Sequence, residues 1–328
     1  MKARTCIIAV VLVALSASAM ALPTRYTVTD LGVGSANAIN DNGQIVISQS
    51  TSGSVIWDNG ALTPIYAGGG SEYVINSIGQ VAFCSTSSGL YLWTDGTLVQ
   101  VVAPGTPAHV LGLNDSGVVV GSYGSMNAVL GDAFSWQDGT ATKLGSTYQT
   151  SAAYDVNNSG LIVGWVSAVD GKAAVTWQNQ VMTTLPNVPG MWRSVALKVN
   201  NRGQVAGYSY TSTGTEVVAF WKDGGVLDLG AGPTPRDMND NGQILTSTRI
   251  WEEGTGWVSL TSLMDPASPY SGYISAYHIN NRGCIIGSGH NVDGTTHSLL
   301  LTPVPEPTSL LVLASGLGLL APLVRRRR

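Results

Sequence analysis

The chain has 328 residues, of which 44% are hydrophobic and only 11% are charged, and its formal net charge is −4. Forty glycines with so few charges are typical of a turn-rich β protein and argue against a predominantly helical fold. Between residues 22 and 304 there are 10 basic and 19 acidic side chains, an acidic balance that argues against nucleic acid and anionic membrane surfaces as partners.

The first 21 residues are typical of a secretion signal. Lys2 and Arg4 supply positive charge, Cys6–Leu15 form an apolar run, and Ala19-Met20-Ala21 is a small-residue cleavage site. The apolar run is too short to span a hydrocarbon core of about 30 Å. We therefore predict cleavage after Ala21, with a retained anchor as the alternative.

One motif recurs seven times along the chain: an apolar residue, Asn, any two residues and Gly, followed by a short apolar run. Successive motif asparagines are 36, 38, 43, 43, 39 and 41 residues apart. A period near 40 is typical of one small antiparallel sheet per repeat. The seven motif residues are Asn40, Asn76, Asn114, Asn157, Asn200, Asn239 and Asn280.

A second half-motif follows each of the first six, as an apolar stretch that ends in Trp before an Asp-Gly or Asn-Gly type of turn. Each repeat is thus predicted to contain four strands, in which Asn-x-x-Gly joins the first pair and the turn after Trp joins the second. Because these tryptophans share one position, we expect them to pack between repeats rather than to form a row for sugar stacking. They are Trp57, Trp93, Trp136, Trp177, Trp221 and Trp251.

The second strand of several repeats is apolar at consecutive positions, as in Ile45-Val46-Ile47 and Val118-Val119-Val120. Such a strand is covered on both faces, which indicates sheets stacked around an axis. The seventh repeat lacks a fourth strand, and Tyr26–Gly32 supplies one ahead of the first repeat. We predict an all-β fold over residues 22–303, a seven-bladed β-propeller of four-stranded blades closed by an N-terminal strand. An open β-solenoid is the alternative.

The C-terminal tail, residues 304–328, has three parts. Pro305-Glu306-Pro307 precedes an apolar stretch, Leu310–Val324, long enough as a helix for about 22 Å. The chain then ends in Arg325, Arg326, Arg327 and Arg328. We predict a C-terminal transmembrane helix with its arginines on the cytoplasmic side. A simple anchor is one reading of this tail.

The order of these parts resembles the PEP-CTERM sorting signal. The resemblance implies recognition by an exosortase, a membrane transpeptidase-like enzyme, and cleavage near Pro305-Glu306-Pro307. The product would be secreted or held at the cell surface, after transient membrane attachment through the helix. The resemblance also implies an association with exopolysaccharide and biofilm. Closure of the ring by Tyr26–Gly32 predicts that the mature N-terminus and this tail lie close together.

The repeats also resemble HAF-type extracellular repeats, named for a His-Ala-Phe stretch before the third strand. Here the stretch is degenerate, as Asp132-Ala133-Phe134, Val218-Ala219-Phe220 and His297-Ser298-Leu299. The resemblance implies an extracellular repeat fold and no particular activity.

The sequence predicts no catalytic, cofactor or metal site. Asp237–Gly242 opens like a calcium loop, but its twelfth position is Thr248, so we interpret it as a turn. Three histidines, His278, His290 and His297, lack zinc spacing and are read as loop residues. The remaining cysteines, Cys84 and Cys284, lie in apolar runs and are expected to be buried thiols, although an exported protein permits a disulfide.

Three tryptophans outside the repeat position, Trp165, Trp192 and Trp257, are expected to face solvent and form a candidate surface for a glycan or a protein. We therefore predict a non-catalytic surface or extracellular-matrix protein. The alternative is a hydrolase or lyase that acts on an extracellular glycan in the central funnel. That alternative needs His, Arg and acidic side chains to converge on the axis, and the sequence shows no such cluster.

Overall fold

The computed structural model describes residues 23, 25–49, 53–85, 89–102, 108–124, 131–144, 150–169, 171–270 and 272–304. Over these residues the chain forms 28 β-strands, which are arranged as seven antiparallel four-stranded sheets. The predicted seven-bladed propeller is confirmed. The predicted signal with Ala19 and Ala21, and the predicted tail helix with its flanking motifs, lie outside the described residues. In the described part, no helix is long and apolar enough to cross a membrane.

Six blades are contiguous in the chain, and the seventh is completed from the N-terminus. Blades 1 to 3 consist of β2 (Ser35–Ile39), β3 (Ile45–Gln49), β4 (Gly53–Asp58), β5 (Ala61–Tyr66), β6 (Gly70–Ile75), β7 (Val81–Ser85), β8 (Leu90–Thr94), β9 (Thr97–Val102), β10 (Ala108–Leu113), β11 (Val119–Tyr123), β12 (Ala133–Gln137) and β13 (Thr140–Lys143). Blades 4 to 6 consist of β14 (Ser151–Val156), β15 (Ile162–Ala168), β16 (Gly171–Gln178), β17 (Val181–Thr184), β18 (Arg193–Val199), β19 (Val205–Tyr210), β20 (Glu216–Lys222), β21 (Gly225–Asp228), β22 (Asp237–Met238), β23 (Ile244–Leu245), β24 (Arg249–Glu252) and β25 (Gly256–Ser259). Blade 7 consists of β26 (Ile274–Ile279), β27 (Ile285–His290), β28 (Thr296–Pro303) and β1 (Tyr26–Asp30), after a 3-10 turn at Leu260–Leu263.

The N-terminal strand is the fourth strand of blade 7, as predicted. β1 pairs antiparallel with β28, so that Tyr26 lies opposite Pro303 and Asp30 opposite Leu299. Beyond the strands, the Val304 N–H donates to the Arg25 carbonyl at 2.9 Å. The start of the propeller and the start of the C-terminal tail therefore lie side by side, as the closing strand predicts, and the mature N-terminus itself lies outside the described residues.

The motif asparagines form a closed ring of hydrogen bonds around the axis. Asn157 is representative: its Oδ1 accepts from the backbone N–H groups of Ser159 and Leu161, and its Nδ2 donates to the Asn200 carbonyl at 2.9 Å. The same side chain-to-carbonyl bond joins every successive pair of blades, including blade 7 to blade 1. All seven asparagines are buried. Each one thus shapes its own turn and fixes the neighbouring blade.

The core lies between the blades. Ile45, Val46 and Ile47 are all buried, which confirms that the second strand is covered on both faces. Five of the six repeat tryptophans are buried in these layers, and Trp57 is half-buried. Their predicted structural role is confirmed. Both Cys84 and Cys284 are free thiols and half-buried.

A β-bulge interrupts the first strand of six blades. In blade 4 the pairing with β15 shifts between Ala153 and Asp155, and blade 5 has the same shift between Ala196 and Lys198. A bulge adds one residue to a strand and redirects the side chains around it. The residue that follows each bulge lies two positions before the motif asparagine, and at this position all seven blades line the axis.

Candidate binding site at the propeller axis

A cavity of about 200 Å³ lies on the propeller axis, and the first strands and motif turns of all seven blades line it. Its mouth carries the residues that follow the motif asparagines. Three of these are carboxylates, Asp41, Asp115 and Asp240, and three are amides, Asn158, Asn201 and Asn281.

The mouth residues bind one another from blade to blade. The backbone N–H of Asn158 donates to Asn201 Oδ1 at 2.8 Å, and that of Asn201 donates to Asp240 Oδ1 at 2.7 Å. Asn281 donates from its side chain to Asp41 at 2.7 Å and to Asp240 at 2.8 Å. The carboxylates of Asp41 and Asp240 therefore already accept hydrogen bonds from neighbouring blades.

The wall below the mouth differs between the two halves of the ring. Two positions before the motif asparagine, blades 1 to 3 carry Ala38, Val74 and Gly112. At the same position, blades 4 to 7 carry ionisable residues, listed in chain order as Asp155, Lys198, Asp237 and His278. One side of the cavity is therefore small and apolar, and the other side carries two acids and two bases.

Both acids on this wall are fixed by backbone N–H groups. Asp155 accepts from the N–H groups of Val156 and Val199 at 2.9 and 3.0 Å. Asp237 makes the equivalent bonds with Met238 and Ile279, both at 2.9 Å. Each carboxylate thus joins its own blade to the next, and its geometry is set before any ligand arrives.

The two bases complete this network through Asp237. Lys198 Nζ lies 3.9 Å from Asp237 Oδ1, and His278 Nδ1 lies 3.2 Å from Asp237 Oδ2. The side chains of Lys198 and Asp237 are 18% and 16% exposed, so these charges interact in a partly desolvated environment.

Burial and neighbouring charge shift the pKa values of the two acids in opposite directions. Burial raises the pKa of Asp155 to about 6, although Lys198 acts in the opposite direction. Burial also acts to raise the pKa of Asp237, but Lys198 and His278 outweigh it and the net shift is downward. For Lys198, burial acts to lower the pKa, and the two carboxylates outweigh it and raise it. At neutral pH the wall holds a lysine cation between two carboxylates.

This arrangement corrects one expectation. The sequence was read as lacking ionisable residues that converge on the axis, but Asp155, Lys198, Asp237 and His278 do so. They are spaced 43, 39 and 41 residues apart, and each precedes a motif asparagine by two positions. Alignment of the seven repeats on that asparagine is the signal that would have found them.

The three candidate tryptophans occupy different environments. Trp192 is 64% exposed, as expected. Trp165 is buried at 8% exposure, contrary to expectation, because it packs against Ala152 and Val195 and Lys172 Nζ lies 4.0 Å from its ring centroid. Trp257, in β25 of blade 6, is half-buried against blade 5, where its Nε1 donates to the Leu229 carbonyl at 2.8 Å. The expected solvent-facing surface is therefore reduced to Trp192.

The three histidines are strand residues, which corrects their interpretation as loop residues. His278 is in β26, His290 ends β27, and His297 is in β28. His297 Nδ1 lies 2.8 Å from Asp30 of the closing strand. Among the residues that the structure describes, no group of three or more His, Cys, Asp or Glu side chains is arranged to hold a metal ion.

Residues 303–328 match the family described as PEP-CTERM protein-sorting motif. The predicted sorting signal is thus confirmed at the level of this motif, which includes Pro305, Glu306 and Pro307 and the four terminal arginines. Such a motif marks an exported protein that an exosortase processes. No curated protein matches the chain.

Several solved structures are similar to the chain. A Mycobacterium tuberculosis puromycin-hydrolyzing peptidase is 13% identical with a TM-score of 0.54, over 87% of this chain and 53% of its own. The structure titled YCF48 bound to D1 peptide is 12% identical with a TM-score of 0.53, over 89% of this chain and 100% of its own. TolB from Acinetobacter baumannii is 12% identical with a TM-score of 0.44, over 80% of this chain and 60% of its own. The chain thus spans little more than half of TolB and of the peptidase, and at these identities the likeness to the peptidase and to YCF48 shows the fold alone.

Proposed function

We propose that this protein is a non-catalytic binding module that an exosortase system delivers to the cell surface or extracellular matrix, where it associates with exopolysaccharide. Under this proposal residues 1–21 are a cleaved signal peptide, the repeats are of the HAF type, and residues 310–324 anchor the precursor in the membrane until processing. Biofilm is the setting in which such a module would act.

The observation that carries the proposal is where the sorting motif begins. Pro303, the first residue of the motif match, is also the last residue of β28 and pairs with Tyr26. The Pro305-Glu306-Pro307 segment follows two residues later. Cleavage there would remove the tail without breaking any blade, so a complete propeller would be released or transferred.

The axial wall supports a binding role over catalysis. The carboxylates of Asp155 and Asp237 are each held by two backbone N–H groups and interact with the charge of Lys198. Groups held in this way act as rigid recognition elements. The exposed ring of Trp192 adds a face on which a sugar ring can stack.

The sorting half of the proposal is tested in the native host with the full-length chain. We expect Glu306→Ala to abolish tail removal, observed as a precursor that stays in the membrane fraction. Pro266→Ala, at an exposed proline outside the motif, is the matched control and should process normally. Normal processing of Glu306→Ala would contradict the proposal.

The binding half is tested by retention of the processed protein on the host's exopolysaccharide. Full retention of Trp192→Ala would assign the contact to another surface, whereas no retention of the native protein would contradict a role in polysaccharide binding.

One observation favours a glycan hydrolase or lyase as the second candidate. General acid–base catalysis needs a carboxyl group whose pKa lies near the working pH, and that of Asp155 is raised to about 6 by burial. This candidate expects release of new reducing ends or unsaturated sugars from the host polysaccharide, with loss of that activity in Asp155→Asn. Equal product yield from the native protein and Asp155→Asn would eliminate it.

A further inference from the structure

A second cavity, of about 420 Å³, lies where the first strands of the blades begin, away from the asparagine turns. Blades 6, 7 and 1 line it, with six residues: Ser35, Ala36, Asn37, Arg236, Tyr277 and His278. Its volume lies in the range of pockets that hold small ligands and accommodates a sugar residue. We refer to it as the Arg236 pocket.

Arg236 is the main charged group of this pocket, and it is held in a defined orientation. One terminal nitrogen of its guanidinium donates to the Ala276 carbonyl at 2.8 Å and to Ser275 Oγ at 3.2 Å. The guanidinium carbon lies 5.3 Å from the ring centroid of Tyr277. Within the described ranges no carboxylate forms an ion pair with this arginine. Nε and the other terminal nitrogen remain for a planar acceptor.

The polar side chains beside Arg236 are also held in place by hydrogen bonds or ion pairs within the protein, and two of them keep a further atom for a ligand. Tyr277 places its hydroxyl 2.6 Å from Ser288 Oγ, which holds the ring beneath the guanidinium. Asn37 donates from Nδ2 to the Ser35 carbonyl at 2.7 Å and to Ser48 Oγ at 2.9 Å, so its Oδ1 can accept from a ligand hydroxyl. His278 uses Nδ1 toward Asp237, so its Nε2 is the ring nitrogen left for a ligand.

The charge of the pocket contrasts with that of the rest of the protein. None of its six lining residues is acidic, although acidic side chains outnumber basic ones by 19 to 10 between residues 22 and 304. Asp237 is the carboxylate next to Arg236 in sequence, and its oxygens accept from Met238 and Ile279 and face Lys198 and His278. The pocket therefore presents positive charge on a protein whose overall balance is acidic, which favours an anionic ligand there.

We infer that the Arg236 pocket binds a carboxylated sugar, a uronic acid residue of an acidic extracellular polysaccharide. The planar guanidinium fork matches the two oxygens of a carboxylate, and Asn37 and His278 meet the ring hydroxyls. This inference rests on the proposed polysaccharide-binding function and names the class of sugar that is bound.

The test is calorimetric titration of the full-length protein in mild detergent with trigalacturonate, and with maltotriose as the neutral probe. We expect binding of trigalacturonate alone, weaker at higher salt. Arg236→Met should weaken it at least tenfold. Arg282→Met removes the same charge from an exposed arginine in the motif turn of blade 7 and is the matched control, for which we expect no change.

Arg236 also contacts Ala276, so its replacement by Met affects the local fold as well as the pocket. A second variant therefore distinguishes loss of the binding site from misfolding. Arg236→Lys keeps the charge but loses the fork, and we expect it to bind trigalacturonate several-fold more weakly than the native protein. Dextran sulfate distinguishes a carboxylate site from a general anion site, and we expect it to compete poorly.

Three results would overturn the inference: equal binding of maltotriose, unchanged trigalacturonate affinity in both Arg236 variants, or dextran sulfate that competes as well as uronate. If the protein is still retained on host exopolysaccharide, the proposed function stands and only the pocket assignment fails. If neither the host polysaccharide nor trigalacturonate is bound, both fail.

Discussion

The side-chain amide of Asn280 donates a hydrogen bond to the backbone carbonyl of Asn40 at 3.0 Å, although 240 residues separate them in the chain. This bond joins blade 7 to blade 1 at the axis. The pairing of β1 with β28 completes blade 7 at its outer edge. The ring is therefore closed by two different devices, an amide contact at the centre and a strand at the rim.

Asn157→Ala should destabilise the propeller by about 2–4 kcal/mol. The change removes the buried donor to the Asn200 carbonyl and leaves the partly buried N–H groups of Ser159 and Leu161 without their acceptor. Denaturant unfolding of the full-length protein measures the loss. The exposed neighbour Asn158→Ala is the control, and an equal loss in both would contradict a special role for the buried ring.

Gly164→Ala should destabilise the protein by about 2–3 kcal/mol, since a Cβ at this position would lie 1.9 Å from the Ala152 carbonyl oxygen. The contact is between paired strands of blade 4, and neither backbone can move freely. Gly225→Ala is the matched control, because its nearest neighbour would be 3.8 Å away. Thermal unfolding compares the two. Similar melting temperatures would show that blade 4 relaxes around the methyl group.

Lys198→Met should raise the pKa of Asp155 above its value of about 6, because Lys198 acts to lower it. NMR titration of the Asp155 carboxyl carbon measures this directly. An unchanged midpoint would mean that the lysine does not interact with Asp155. The variant should also lose about 3 kcal/mol of stability, since two partly buried carboxylates are left without their cation.

Asp155 also makes stability depend on pH. A carboxyl whose pKa is raised in the folded state binds more protons there than when unfolded. Stability should thus be greatest below its ordinary value of 3.8 and fall as the pH rises through about 6, as far as this group is concerned. Asp155→Asn should remove that slope from a plot of unfolding free energy against pH.

Asp30 should make the stability of the fold depend on pH in the opposite direction. Burial acts to raise its pKa, but hydrogen bonds from Tyr270, Gly32 and His297 outweigh it, and the net shift is below 3.8. Its stabilisation is therefore present above pH 3.8 and lost as the pH falls through the folded pKa. Because the carboxylate is largely solvated, we expect Asp30→Asn to lower the melting temperature by only about 2 °C at neutral pH. The difference from the native protein should vanish in acid, and a constant difference would contradict the pairing.

The fold was predictable from the sequence because the same turn chemistry recurs seven times. Asn-x-x-Gly and the turn after Trp mark both hairpins of a blade, and the missing fourth strand of blade 7 pointed to Tyr26–Gly32. These are local signals, and each is repeated often enough that the pattern is recognisable even where one repeat departs from it.

The axial wall was not predicted, since its residues are single ionisable side chains about 40 residues apart that meet only when the ring closes. The bulge adds to the difficulty, because it breaks the two-residue alternation from which one deduces the face of the sheet on which each side chain lies. Trp165 was misjudged for a related reason. It lies in β15, and its ring is covered by Val195 of the next blade, a contact that forms only when the blades stack.

The closing strand has a consequence for the order of events during secretion. In a chain that crosses the membrane N-terminus first, β1 emerges at the beginning, whereas its partner β28 emerges last; Thr27 and Thr302, which face each other in the finished sheet, are 275 residues apart. Contacts of such high sequence separation form late. The circle therefore cannot be completed until nearly the whole polypeptide has been translocated, and the residues that complete it are those that lead into the sorting motif. The last blade can thus fold only at the stage of translocation at which the sorting motif also emerges.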